Sequence, residues 1–314
     1  MALTSIRTNG DDIEIVDQLL LPHTVAWVAI KSPDDAYTAI KSMMIRGAPA
    51  IASLAALSVS SYLSRALEEE PRPAFLTSYQ LLEDHLSPIL AHLYASRPTA
   101  VNLGAAITRL QGVLAAGRAE ARKGPTDEQT SLAITVKNLI AEGRAVADED
   151  VGRNKIMGQL GADWILRKAE ENHQDITEGL NILTVCNTGS LATSIGTYNA
   201  AVIAERHRVP FVVACPVSTL DLSIPDGSAI PIEYRPPIEA CLARGRVVGG
   251  LDPTIAPNAQ AVVQITPDLA LNDGGVFNPS FDVTPAALIS AVVTEKGVAE
   301  RTAEASIIQV GNIS

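Results

Sequence analysis

Cysteine is scarce in this 314-residue chain: Cys186, Cys215 and Cys241 stand at irregular spacing. That pattern is neither a zinc-binding array nor a disulfide framework, and it points to a reducing compartment. The five histidines are scattered, so no metal-ligand spacing emerges. No apolar run reaches the roughly 18 residues of a membrane-spanning helix. The opening Met1-Ala-Leu-Thr-Ser-Ile lacks the apolar centre of a secretory signal. Basic residues are also in deficit, 24 against 35 acidic, for a net charge of −11. A surface that neutralises nucleic-acid phosphates is more often basic, which disfavours a nucleic-acid partner. Internal repeats are absent. What remains is a chain 47% hydrophobic and 19% charged, long enough for two domains with sizeable cores.

The first half reads as helix-rich with a small β element. Ile13–Val16 and Thr24–Ile30 are strand-like around Leu21-Pro22-His23. A helix is expected from about Asp34, with Ala36, Ile40, Met43 and Met44 on one face, and another after Pro49. Helical periodicity recurs at 77–94, 99–119, 127–146 and 148–172, with Glu68-Glu-Glu-Pro-Arg-Pro as a surface loop between helices. Near 180 the texture changes. Apolar runs at 182–185 and 211–214 flank a helical stretch from about 194 to 207, which is the pattern of a right-handed βαβ crossover. Thr284-Pro285 is expected to open a last helix that Gly297 stops. The fold class is therefore α/β: a helix-rich domain over 1–145, then a Rossmann-like parallel-sheet domain over 146–314.

Several stretches carry residues suited to chemistry. Arg46-Gly47-Ala48-Pro49 lies between two helices, where a tight turn, helix-start amides and a forked cation suit a phosphate; an ordinary interhelical turn with a solvated arginine reads the same way. Arg97-Pro98-Thr99 offers a second anion clamp, with Thr99 as a cap of the next helix, or simply a surface arginine. Cys186 ends the run Ile182-Leu-Thr-Val185 and is followed by Asn187-Thr188-Gly189. A thiol at the carboxyl end of a strand can move a proton if its pKa is lowered, or it is a small buried hydrophobe, the reading preferred for Cys215. Asp221 in Ser218-Thr219-Leu-Asp221 lies past the second strand, on the same sheet edge. Asp226-Gly227 reads as a turn. Glu233 and Arg235 suit a structural ion pair. Asp282 is either a site carboxylate or a helix cap.

Taken together, six stretches in a fixed order resemble the methylthioribose-1-phosphate isomerase family. They are Met44–Ile51, Arg97–Leu103, Ile182–Gly189, Ser218–Pro225, Ile230–Glu233, and Asn278–Pro285 continuing to Thr294–Val298. The wider family includes regulatory subunits of a translation-initiation exchange factor and a ribose-1,5-bisphosphate isomerase. The Arg-Gly-Ala-Pro-Ala and Cys-Asn-Thr-Gly pieces favour the isomerase branches. The resemblance implies conversion of 5-methylthioribose 1-phosphate to 5-methylthioribulose 1-phosphate in methionine salvage, with no metal or organic cofactor. It places the phosphate on Arg46, Gly47, Ala48 and Arg97, the catalytic thiol at Cys186, and substrate contacts at Thr188 and Gly189. It further implies a homodimer, a small sugar phosphate as the partner with neither nucleic acid nor membrane, and a cytoplasmic location with the nucleus as a second compartment.

The chain departs from the family in one place above all. Two βα units normally stand between the Cys-Asn-Thr-Gly loop and Ile195-Gly196-Thr197-Tyr198; at about 30 residues per unit, roughly 60–80 residues are absent after Thr193. The family's proton-donor aspartate, in a Gly-Ala-Asp-Arg motif, and a substrate-contacting glutamine would lie there. Thr193-Ser194 replace an Asn-Lys pair, Val185 a histidine and Ala52 a glycine. The expectation is an isomerase by lineage with a shortened sheet and a missing acid. Two rivals are a non-catalytic phosphosugar- or nucleotide-binding regulator and a ribose-1,5-bisphosphate isomerase.

Overall fold

The computed structural model describes residues 4–21, 24–122, 127–177, 179–183, 196–247, 260–266, 276–302 and 308–313. The chain divides into two compact units. The first holds residues 1–18, 26–156 and 218–221; the second holds 19–25, 157–217 and 222–314.

The first unit opens with three antiparallel strands, β1 (Ile6–Asn9), β2 (Asp12–Val16) and β3 (Trp27–Ile30), in that spatial order. Alternation sets which face is buried: Ile13 and Ile15 turn inward, while Glu14 turns out and pairs with Arg7 at 2.7 Å. Helix α1 (Pro33–Lys41) begins with a capping box, in which Ser32 accepts from the Asp35 amide and Asp35 accepts from the Ser32 amide. Helix α2 (Ala48–Glu68) is long and apolar enough to cross a membrane by length and composition. In this fold it is the core helix, with 72% of its most apolar window buried. Ile51, Leu54, Ala55, Val59 and Leu63 are buried, and three of its four buried serines donate to carbonyls: Ser58 to Ala55, Ser60 to Ile140 and Ser61 to Asp11.

Helices α3 (Tyr79–Ala95), α4 (Val101–Ala121) and α5 (Glu128–Glu171) complete the bundle, and α2 packs on α4. The two helices expected over 127–146 and 148–172 are one. No glycine or proline interrupts 144–151, and Val146, Met157, Trp164 and Ala169 are buried along its length. Helix α5 carries the chain from the first unit into the second.

The second unit is a mixed α/β assembly. It contains α6 (Thr197–Arg206), β4 (Val212–Ala214), the one-turn α7 (Pro237–Ala240), and the antiparallel ribbon β5 (Leu242–Arg246) with β6 (Gln260–Gln264). Its other sheet has the order β4-β7-β8, with β7 (Ala291–Thr294) and β8 (Gly297–Glu300). β4 pairs parallel with β7, and β7 pairs antiparallel with β8. Val292, Ile308 and Ile313 form a small core with Val213 and Cys215 packed on it.

Two expectations need correction here. The helix expected from Thr284 to Gly297 is a single 3-10 turn at Ala286–Leu288 followed by the β7–β8 hairpin. Ala291-Val-Val-Thr294 is buried at every position and β-branched at three of the four, which suits a strand covered on both faces. Gly297 starts β8 instead of ending a helix; a Cβ there would lie 2.9 Å from Ile313 Cγ2. The strand expected over 182–185 is not formed at Ile182 and Leu183, which are 67% and 90% exposed. Among the described residues β4 is the last strand of its sheet, so nothing there pairs with them.

Candidate functional site

The Arg46 loop is built by its neighbours in the first unit. Ile45 is fully buried, Arg46 is half-buried, and Gly47 is the N-cap residue of α2 at φ +96°, in the left-handed range where a Cβ is strained. No side chain caps the first turn of α2, and no acidic residue stands in it. That leaves the positive end of a 21-residue helix beside a guanidinium. The loop is held from the other side by Gln18, just past β2. The Arg46 amide donates to Gln18 Oε1 at 2.8 Å, Arg46 Nη2 donates to the Gln18 carbonyl at 2.8 Å, and the Gln18 amide donates to the Met44 carbonyl at 2.8 Å. Sequence reasoning missed Gln18. A lone glutamine beyond a strand gives no local signal, because its partners lie 28 residues away.

Arg97 follows α3 and is half-buried behind the buried Ser96. Thr99 is not the cap of α4. Ala100 takes that position, and its methyl offers the first turn no acceptor; the Ala100 amide donates back to the Arg97 carbonyl at 3.0 Å. In the first turn of α4, Asn102 is 4% exposed and clamps a distant segment. Its Nδ2 donates to Ser218 Oγ at 2.7 Å, and Thr219 Oγ1 donates to its Oδ1 at 2.9 Å. The Arg97–Asn102 stretch and Ser218–Asp221, 116 residues apart, thus belong to one compact unit.

Cys186, Thr188 and Gly189, with Val185 and Thr193, lie outside the described residues. Cys215, Asp226, Asp282 and the Glu233–Arg235 pair resolve into structural roles. Cys215 is mostly buried, and desolvation, with Glu295 adding to it, pushes its thiol up to about 11, so it stays protonated and inert near neutrality. Asp282 caps a helix, but not one of its own: its Oδ2 accepts from the Gly196 and Tyr198 amides at 2.9 and 3.1 Å, at the start of α6. Asp282→Ala is expected to cost about 1 kcal/mol of stability, read as a lower urea midpoint, with Asp282→Asn retaining most of it. Asp226 caps its own turn through the Ser228 amide. Arg235 pairs with both Glu233 and Glu239, at 3.2 and 2.8 Å. The groove of about 810 Å³ beside α4 and α5 is lined by Ala116, Gly117, Glu120, Ile134 and Glu142 among others; with two carboxylates and no cation it does not suit a phosphate.

The profile of the Initiation factor 2 subunit family matches residues 44–194 and, in a second stretch, 187–301. A methylthioribose-1-phosphate isomerase of Laccaria bicolor is 44% identical over 95% of this chain and 96% of its own length. The enzyme of the same name from Postia placenta is 42% identical, over 95% of each chain. The Laccaria alignment runs over 382 positions, of which this chain, at 95% of 314 residues, fills about 298; roughly 84 positions have no counterpart here. Among solved structures, 5-methylthioribose 1-phosphate isomerase from Pyrococcus horikoshii superposes with a TM-score of 0.62 at 22% identity, covering 95% of this chain and 93% of that one. The delta subunit of translation initiation factor eIF-2B from A. fulgidus gives 0.57 at 24% identity, covering 96% and 97%. These two establish the mixed α/β fold. The chain belongs to the Initiation factor 2 subunit family, in the group formed by the methylthioribose-1-phosphate isomerases.

Proposed function

We propose that this chain descends from, and retains the substrate of, a methylthioribose-1-phosphate isomerase, which converts 5-methylthioribose 1-phosphate to 5-methylthioribulose 1-phosphate. The observation that carries the reading is 44% identity to an enzyme of that name across nearly the whole of both chains. Arg46, Gly47, Ala48 and Arg97 hold the phosphate throughout. The uncapped, glycine-initiated start of α2 beside Arg46 supports that role. Cys186, with Thr188 and Gly189 after it, serves the sugar. The reaction opens the ring and moves a proton from C2 to C1, which leaves the carbonyl at C2. One group carries that proton while a second serves the ring oxygen or the new carbonyl.

The second group is the one this chain lacks. The unmatched positions of the alignment, together with a family match that breaks into two stretches meeting at 187–194, support a deletion near Thr193. The family's proton-donor aspartate belongs to that segment. The parallel β4–β7 pair, preceded by α6, supports a shortened Rossmann-like second domain. A homodimer and a cytoplasmic, partly nuclear location go with the same reading.

The deletion also favours a second reading, a phosphosugar-binding regulator that binds without turnover. Ketose formation from 5-methylthioribose 1-phosphate separates the two. Slow turnover that disappears in Cys186→Ser supports the isomerase. Binding with no turnover in either chain supports the regulator, and equal turnover in both removes the thiol from the mechanism.

A further inference from the structure

We infer that Gln18 is a positioning residue for the phosphate grip. It would hold the Arg46–Gly47 backbone in the shape that presents the guanidinium and the first turn of α2 to the anion. The inference rests on the reading above, that Arg46, Gly47 and Ala48 take the substrate phosphate.

Gln18 is a polar residue only 5% exposed, and it makes four hydrogen bonds. Three go to the loop between α1 and α2, at Met44 and Arg46, so both sides of the fully buried Ile45 are tied to one point. The bond from the Arg46 amide sets the side chain's orientation. Nε2 lies 3.3 Å from Ser5 Oγ, while the oxygen end must face the Arg46 N–H, which can only donate. The side-chain oxygen is therefore dedicated to the Arg46 main chain, and the main-chain oxygen to its guanidinium. Beyond Arg46 the chain enters Gly47 at φ +96° and then α2. A loop with a left-handed residue and a helix-start amide array depends on a fixed backbone; a loose one must be ordered when the anion arrives, which lowers affinity.

Replacing the side chain separates its two hydrogen bonds from the two made by the main chain. Gln18→Met keeps the length and the main-chain carbonyl that receives Arg46 Nη2, and removes only the acceptor of the Arg46 amide and the donor to Ser5. Gln18→Glu keeps the acceptor and adds a negative charge. The probe is inorganic phosphate, titrated into the full chain by calorimetry, with arginine-labelled protein followed by ¹⁵N NMR. The expected result is that Gln18→Met weakens phosphate about tenfold, moves the Arg46 amide resonance, and leaves the unfolding midpoint of the second unit's core in place. Gln18→Glu is expected to keep the Arg46 amide protected from hydrogen exchange while weakening phosphate through its charge. Arg46→Met is the control for the grip itself and is expected to abolish binding.

Wild-type phosphate affinity in Gln18→Met, with binding lost in Arg46→Met, overturns the role of Gln18 and spares the grip. Wild-type affinity in Arg46→Met overturns both. If Gln18→Met does not fold, Gln18→Glu decides alone: an Arg46 amide that exchanges its hydrogen freely with solvent shows that the acceptor does not hold the loop.

Discussion

If the proposed deletion lies after Thr193, inserting there the Laccaria bicolor positions that have no counterpart in this chain is expected to raise ketose formation by about 10²–10⁴-fold, the usual effect of one member of an acid–base pair. On the proposed reading a thiol alone can take part in proton movement, while the ring oxygen or the nascent carbonyl must draw on water for want of a positioned donor. The roughly 84 unmatched positions also exceed what a donor loop needs; at about 30 residues per βαβ unit they amount to two or more strand–helix units. Restoring them would give β4, now the last strand of its sheet among the described residues, further strands to pair with. Chemistry and folding are separable. A restored chain in which the aspartate that the family resemblance places in the inserted segment is replaced by asparagine should gain the stability of the completed sheet and little of the rate. Turnover by the unaltered chain equal to that of the restored one would show that no necessary acid is missing.

The sequence discloses most where function and local structure share a cause. The Arg46-Gly47-Ala48 turn is legible because a glycine between two helical patterns has few alternatives, and Gly47 does sit at positive φ before α2. The cluster joining Asn102 to Ser218 and Thr219 is legible only as ordered motifs; nothing local says that segments 116 residues apart share a unit. The readings that fail do so through distance or ambiguity of period. Thr284-Pro285 has the form of a helix start, yet Ala291-Val-Val-Thr294 behind it is buried and β-branched at three of its four positions, and tertiary burial outweighs the local cap. Asp282 is recognisable as a capping residue, but the helix it caps begins 86 residues earlier. Gln18 escapes notice for the same reason: its value lies in partners brought to it by α1 and the turn after it.

One substitution made at two places in α5 is expected to act with opposite signs. In helices alanine is better than glycine by about 0.8–1.0 kcal/mol, and it also restricts the unfolded chain. At Gly152, exposed and with nothing within 4 Å of where a Cβ would stand, only that gain applies. Gly152→Ala is therefore expected to stabilise by about 0.4–1 kcal/mol. At Gly143 the same atom would lie 2.6 Å from the Ala56 carbonyl oxygen and 2.8 Å from Ser60 Cβ, both on α2. The carbonyl cannot rotate away, because it is part of the α2 backbone. Ser60 is held as well, its hydroxyl donating to the Ile140 carbonyl on α5 at 2.8 Å. Helix α5 must move off α2 and loosen the packing of Leu139 and Ile140 in the first unit's core. Overpacking of this kind costs about 1–3 kcal/mol, which outweighs the propensity gain at the upper part of that range and cancels it at the bottom. With a carbonyl as the obstacle the upper part applies, so Gly143→Ala is expected to lower the urea midpoint while Gly152→Ala raises it. Equal stabilisation by both would mean that α2 and α5 do not approach each other this closely.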